Sequence, residues 1–259
     1  MPRTVRDGVE LYYEVRGAGH GDREPVAFVG DAGYGAWQWS FQSRVTGPHE
    51  TVVYDHRGTG RSDAPAGPYD VATLAADLEA VLADAGLAGV HLVGAGLGGA
   101  VALAHAHEYD RSRRLALFGT APTGEAVDEA ALRALYAPPG DGDACRSSLE
   151  GALSPAFRES NPEVLDRMCE WRAADDADSG GFEAQAAAWL DFAGVSLYEV
   201  TAPTLVFRGV DDPVVPEAAA RELAADLPRG ECLAVEGRHL AHVESARAVT
   251  DRLLDFFEG

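Results

Sequence analysis

Four separated stretches of this chain have the patterns of nucleophilic and acid–base chemistry. His91-Leu92-Val93-Gly94-Ala95-Gly96-Leu97-Gly98-Gly99-Ala100-Val101-Ala102-Leu103 has the form of a nucleophile elbow. In that motif an apolar strand turns sharply through G-x-S-x-G into a helix and holds a hydroxyl at the turn tip. Gly96 stands at the tip, so a covalent acyl intermediate has no oxygen to form on there. Downstream, Asp212 in Gly209-Val210-Asp211-Asp212-Pro213 and His239 in Gly237-Arg238-His239-Leu240 each follow an apolar run. A carboxylate that orients an imidazole and stabilises its charged form makes a general base. Upstream, Val26-Ala27-Phe28-Val29-Gly30-Asp31-Ala32-Gly33 runs into a glycine-rich turn, of the kind that supplies a backbone N–H to an oxyanion hole.

Each residue also has a plainer reading. Asp211-Asp212 before Pro213 can shape a turn, and a lone His239 can be structural. His239-x-x-His242 lacks the further ligands a metal site needs. Ser62 and the cysteines read as structural or solvated. Asp31 has two open readings: an outward-facing turn residue, or a pocket-facing acid, base or cation-recognising group. In the second case its charge would oppose a developing oxyanion unless the side chain is turned away or protonated.

The elements that must position these residues are apolar runs bounded by turn residues. Strands are expected at Leu11–Val15, Val26–Val29, Thr51–Tyr54, Val90–Val93, Leu115–Phe118, Thr204–Arg208 and Glu231–Val235. After Asp70, an N-cap type, Val71, Leu74, Leu78, Val81 and Leu82 fall on one helical face, and Val249, Leu253, Phe256 and Phe257 repeat the pattern near the end. Strands alternating with helices indicate a parallel α/β sheet covered on both faces. Residues 121–195 break the alternation and read as short helices. One starts at Asn161-Pro162-Glu163, with Pro at the first helical position, and has Val164, Met168 and Trp171 as its apolar face. The division expected is a core of residues 1–120 and 196–259 and a helical cap, 121–195, over the carboxyl ends of the strands, where open α/β sheets bind ligands.

Composition bounds the function classes. The 259 residues are 46% hydrophobic, enough for one large core. The 42 acidic residues against 21 basic ones, all arginine, give a net charge of −21. Such a field repels phosphates, so neither nucleic acid nor an anionic membrane is an expected partner. It also implies self-repulsion that molar salt would screen, the pattern of a halophilic, acidic protein. Residues 89–106 lack Asp, Glu and Arg but contain five glycines, which suits a strand, turn and buried helix better than a membrane span. The start, Met1-Pro2-Arg3-Thr4-Val5-Arg6-Asp7-Gly8, has no apolar stretch of signal-peptide type. Cys145, Cys169 and Cys232, odd in number and widely spaced, argue against a disulfide framework or zinc site. A cytoplasmic location is expected.

Over essentially its whole length the chain resembles an α/β-hydrolase. Tyr54-Asp55-His56-Arg57-Gly58-Thr59-Gly60-Arg61-Ser62-Asp63, the elbow, Gly209-x-x-Asp212 and Gly237-x-His239 resemble the branch of small esterases, enol-lactonases and cofactor-free haloperoxidase-like enzymes. The resemblance implies that Asp212 is the triad acid, that His239 is the base, and that the backbone N–H groups of Asp31 and Leu97 form the oxyanion hole. The family's serine falls on Gly96, and its usual histidine before the oxyanion glycine falls on Val29. No cofactor and no metal are implied.

A rival reading uses the same glycines. Gly94-Ala95-Gly96-Leu97-Gly98-Gly99 is also a G-x-G-x-x-G between a strand and a helix, the dinucleotide fingerprint. The following strand, ending Phe118-Gly119-Thr120, lacks the acidic residue that fingerprint wants. Three readings of Gly96 stay open. His239 and Asp212 could act as a general base on water or a substrate C–H without a serine; the protein could be a non-catalytic binding pseudoenzyme; or it could be an ordinary serine esterase carrying a Ser-to-Gly substitution. The expected ligand is a small, partly apolar carbonyl compound (ester, lactone or activated ketone), given Trp171, Phe182, Trp189 and Phe192 in the cap. Oligomeric state is not readable from the chain.

Overall fold

The computed structural model describes residues 2–17 and 23–259; Met1, the first residue of the N-terminal segment considered above, lies outside them. In chain order come β1 (Arg3–Arg6), β2 (Val9–Arg16), β3 (Val26–Val29), a 3-10 segment (Ala36–Val45), β4 (Thr51–Tyr54), α1 (Val71–Asp84), β5 (Val90–Ala95), α2 (Leu97–Glu108) and β6 (Ser112–Phe118). The cap region follows with α3 (Glu129–Arg133), α4 (Gly142–Ala152), α5 (Pro155–Ser160), α6 (Pro162–Asp175) and α7 (Ser179–Leu190). The chain closes with β7 (Thr204–Gly209), α8 (Glu217–Asp226), β8 (Gly230–Val235), α9 (Ala241–Glu244) and α10 (Ala246–Glu258).

The strands form one eight-stranded sheet in the order β1-β2-β4-β3-β5-β6-β7-β8. β1 and β2 run antiparallel, and β4 onward is parallel. This is the mostly parallel, doubly wound sheet with a helical cap that the motifs implied. Every expected strand is present, some one to three residues longer. β1 was not anticipated, because Arg3-Thr4-Val5-Arg6 offers no apolar run at a half-exposed edge.

Alternation along the central strands splits the core between two faces. Leu92, Leu115, Leu117 and Val206 join the cluster built with α1, α2 and the cap. Val93, Ala116, Phe118 and Phe207 join a second cluster closed by Val249, Leu253 and Phe257 of α10. Each fully buried leucine contributes about 1.5–3 kcal/mol relative to an exposed one. α1 begins where expected, with the Asp70 carboxylate accepting from the Thr73 N–H at 2.6 Å.

Two expectations in the cap are corrected. α6 does start at Asn161-Pro162, but Asn161 makes no side-chain cap bond, and the stripe buried deepest is Leu165, Met168 and Arg172. Val164 and Trp171 are only half-buried. Cys145 of α4 and Cys169 of α6 form a disulfide, with Cα atoms 5.9 Å apart. Their separation of 24 residues looked too wide for a staple, yet the packing of α4 against α6 erases that distance. Because disulfides persist mainly in oxidising compartments, the cysteines no longer support the cytoplasmic expectation.

Candidate active site

The parallel strands deliver their following loops to one edge of the sheet: Asp31 after β3, Asp55 after β4, Gly96 after β5, Asp212 after β7 and His239 after β8. Asp212 and His239 meet there, with His239 Nδ1 3.0 Å from Asp212 Oδ1 and 3.1 Å from Oδ2. Asp212 Oδ1 also accepts from the Val214 N–H at 2.9 Å, which holds the carboxylate in its turn. The other ring nitrogen is engaged as well: His239 Nε2 lies 2.9 Å from Asp31 Oδ2. Asp31 is therefore turned inward onto His239, and the outward-facing reading is overturned.

The remaining oxygen of Asp31 explains Gly96. Asp31 Oδ1 accepts from the N–H of Leu97 at 3.0 Å and of its neighbour Ala32 at 2.7 Å. Two converging backbone donors, one at the N-terminus of α2, are the geometry of an oxyanion hole. The carboxylate fills it. The oxyanion pair expected from sequence was the N–H of Leu97 and Asp31, but the Asp31 N–H points at Gln38 Oε1, 3.3 Å away. The second donor to Asp31 Oδ1 is instead the N–H of Ala32, the next residue in the chain.

Gly96 adopts φ 51°, ψ −117°, a conformation that strains a residue with a side chain. A Cβ built there would lie 1.8 Å from Asp31 Oδ1 and 2.3 Å from its Cγ. The turn tip that the sequence leaves without a side chain is thus occupied from across the site by the Asp31 carboxylate. A serine at 96 and the present position of Asp31 exclude each other. The dinucleotide reading also loses its place, since Asp31 takes the anion position at the N-terminus of α2. Gly98 serves packing there: a Cβ on it would meet the Val29 carbonyl oxygen at 2.2 Å.

Electrostatics follow from this arrangement. Asp31 is 1% exposed and His239 3%. Burial alone would strip the proton from His239, but the carboxylates of Asp212 and Asp31 on its two ring nitrogens outweigh that and push it up to about 10. Burial likewise favours neutral Asp31, yet the bond from His239 and the N–H groups of Leu97 and Ala32 hold it below the usual carboxylate range. The resting constellation is a His239 imidazolium held between Asp212 and an ionised Asp31. His242 does not join it. Burial pushes that ring down to about 3, and it packs against Trp39 and Phe118 at centroid distances of 5.0 and 5.4 Å.

The cap clamps the loop that carries Asp31. Gln185 of α7 accepts from the Gly33 N–H at 2.7 Å and donates to the Arg57 carbonyl at 2.8 Å and Thr59 Oγ1 at 2.6 Å. Asp176, just after α6, accepts from the Gly35 N–H at 3.1 Å and from Trp37 Nε1 at 2.6 Å, and pairs with buried Arg172 at 2.6 Å. The Arg172 guanidinium lies 4.7 Å from the centroid of the Tyr34 ring. Nothing in the sequence marked Ala32, nor Gln185 and Asp176, whose partners on the Asp31 loop lie far along the chain. Of the four cap aromatics, Trp189 stands 6.3 Å from the His239 ring, and the Phe182 ring lies against Gly33. Trp171 stacks on Trp37 instead. The Asp55–Ser62 turn is structural: the Ser62 hydroxyl donates to the Asp55 carbonyl at 2.6 Å, and burial pushes Asp55 up to about 6.

A family model described as alpha/beta hydrolase fold matches residues 38–246. The chain belongs to that family. RutD of Variovorax paradoxus, named as a carbamate hydrolase, is 31% identical over 95% of this chain and 95% of its own length. The 3-oxoadipate enol-lactonase 2 of Acinetobacter baylyi is 26% identical over 89% of this chain and 87% of its own. Among solved structures, the enol-lactonase of Burkholderia xenovorans LB400 superposes with a TM-score of 0.87 at 25% identity, with both chains covered in full. Among the described residues, no helix is long and apolar enough to cross a membrane.

Proposed function

We propose that this α/β-hydrolase family member hydrolyses a small, partly apolar electrophile, with the Asp31 carboxylate meeting the substrate in place of a serine and His239–Asp212 moving the protons. The observation that carries the reading is the position of Asp31: one oxygen faces His239 Nε2, where a nucleophile belongs, and the other sits between two backbone donors. Carboxylates form covalent intermediates that split one difficult displacement into two easier steps. The names of the relatives, an enol-lactonase and a carbamate hydrolase, support hydrolysis as the reaction class.

The expectation of a His239–Asp212 base acting on water without any nucleophile is narrowed by the same geometry. Nε2 is already bonded to Asp31, so His239 becomes a base only after Asp31 loses its charge. Covalent substitution at Oδ2 removes that charge and releases the proton that Asp31 helps His239 retain. A serine esterase with one substitution at 96 fits poorly, because Asp31 stands where the serine would be. The binding-protein reading is favoured by one observation, the near-complete burial of Asp31 and His239 beneath the cap.

Asp31→Asn preserves shape and keeps an oxygen for the two backbone donors, so it tests chemistry rather than folding. Against a panel of p-nitrophenyl esters, lactones and epoxides, it and His239→Ala each lower turnover by about 10²–10⁴-fold. Full activity in Asp31→Asn would falsify the nucleophile role, and silence of the unaltered chain on every substrate would favour binding.

A further inference from the structure

Resting on that reading of Asp31, we infer that the substrate is attacked at a saturated carbon bearing an oxygen leaving group, as in an epoxide, and not at an acyl carbon. The argument turns on who uses the oxyanion hole. An ester or lactone carbonyl develops negative charge on its own oxygen and needs the N–H groups of Leu97 and Ala32. Those donors are 3.0 and 2.7 Å from Asp31 Oδ1. A substrate carbonyl can reach them only by ejecting Asp31 from the position in which it could attack. Losing one such donor costs about 10²–10³-fold in turnover, and here both are taken.

Displacement at saturated carbon places no oxyanion on the substrate's carbonyl, so the filled hole is no handicap in the first step. In the second step it is an asset, since the ester now being hydrolysed is that of Asp31 itself. Its carbonyl oxygen, Oδ1, is already seated between the two donors.

Protons and electrons balance on the residues present. Asp31 Oδ2 donates an electron pair to the epoxide carbon; the ring C–O bond breaks onto the ring oxygen, which takes the proton from His239 Nε2. The products are a hydroxyalkyl ester of Asp31 and a neutral imidazole still bonded through Nδ1 to Asp212. With one flanking carboxylate esterified, His239 takes a proton from water as hydroxide adds to Asp31 Cγ and Oδ1 carries the charge. Collapse breaks the bond from Cγ to the alkyl oxygen, which leaves with the His239 proton as the second hydroxyl of a diol. The acid proton left on Asp31 returns to His239 Nε2. The net reaction is epoxide plus water to diol. A basic leaving oxygen needs a proton in the first step, and the imidazolium between Asp31 and Asp212 holds one.

The test compares styrene oxide and 1,2-epoxyhexane with p-nitrophenyl butyrate and a δ-lactone, using the unaltered chain in H₂¹⁸O, followed by peptide mass spectrometry. The expected result is epoxide turnover exceeding ester turnover by about 10²-fold, with ¹⁸O entering the peptide that contains Asp31. His239→Gln, which has no proton to give the ring oxygen, should lose epoxide turnover and leave the Asp31 peptide unalkylated. Faster turnover of esters or lactones with ¹⁸O still entering Asp31 overturns the substrate class and leaves the nucleophile in place. Turnover without label in Asp31 overturns both, as does the absence of turnover on either class.

Discussion

Gly96→Ala adds one methyl group, and its cost can be worked from the site. The new Cβ would stand 1.8 Å from Asp31 Oδ1, so the carboxylate must leave the two N–H groups and the imidazolium that hold it. Breaking a buried ion pair from one side costs about 3–5 kcal/mol. The backbone at φ 51°, ψ −117° adds about 1–3 kcal/mol once a side chain is present. The total of about 4–8 kcal/mol rivals the whole stability of many domains, about 5–15 kcal/mol. Asp31→Ala alone loses only the pair. In the Asp31→Ala background the space over Gly96 is open, and adding the methyl group costs only the backbone strain. The double variant should therefore be more stable than the sum of the singles by about 3 kcal/mol, well outside the ~0.5 kcal/mol scatter of independent sites. For a chain of this size that is roughly 6–12 °C of non-additivity in Tm. Thermal or urea unfolding of the four proteins near neutral pH measures it. Additive penalties would refute the claim that Asp31 fills the space over Gly96.

The ion pair makes stability depend on pH. His239, raised from 6.5 to about 10, contributes fully below its unfolded value and loses that contribution as pH rises through about 10. Asp31, held below its ordinary value of 3.8, contributes above that value and loses it as pH falls through the lowered one. The Tm should fall between about pH 7 and 10, and Asp31→Asn should flatten the fall; identical curves for the two proteins would contradict this. Reducing the Cys145–Cys169 disulfide, which closes a loop across 24 residues, should cost about 2–4 kcal/mol. An unchanged Tm in reductant would remove it from the stability account. The net charge of −21 should make Tm rise between dilute buffer and about 1 M KCl, where the Debye length falls to roughly 3 Å. A flat profile would end the halophilic reading.

The sequence by itself determined the frame and most of the instruments on it. Apolar runs such as Val26–Val29 and Thr51–Tyr54 are legible as strands because they are short, rich in β-branched and aromatic residues, and bounded by turn residues. Asp212 and His239 are legible because each follows such a run, and a parallel sheet sends every following loop to one edge. The cap helices were legible in kind but not in face. Arg172 is buried on α6 between Asp176, four positions on, and Tyr34, a remote partner that no local pattern names. The disulfide was missed for the same reason, since two cysteines 24 residues apart become neighbours only when α4 and α6 pack.

Only the tertiary structure decided what Gly96 means. Asp31 and Gly96 lie 65 positions apart in sequence, on loops after adjacent strands β3 and β5. Parallel pairing of those strands sets one residue's carboxylate over the other's Cα. Read alone, the glycine is a loss and the aspartate an oddity. Read together they are one substitution, in which the side chain removed from the elbow is replaced from the neighbouring loop. A linear pattern cannot express that exchange, because it depends on a distance between two backbones that only the folded sheet sets.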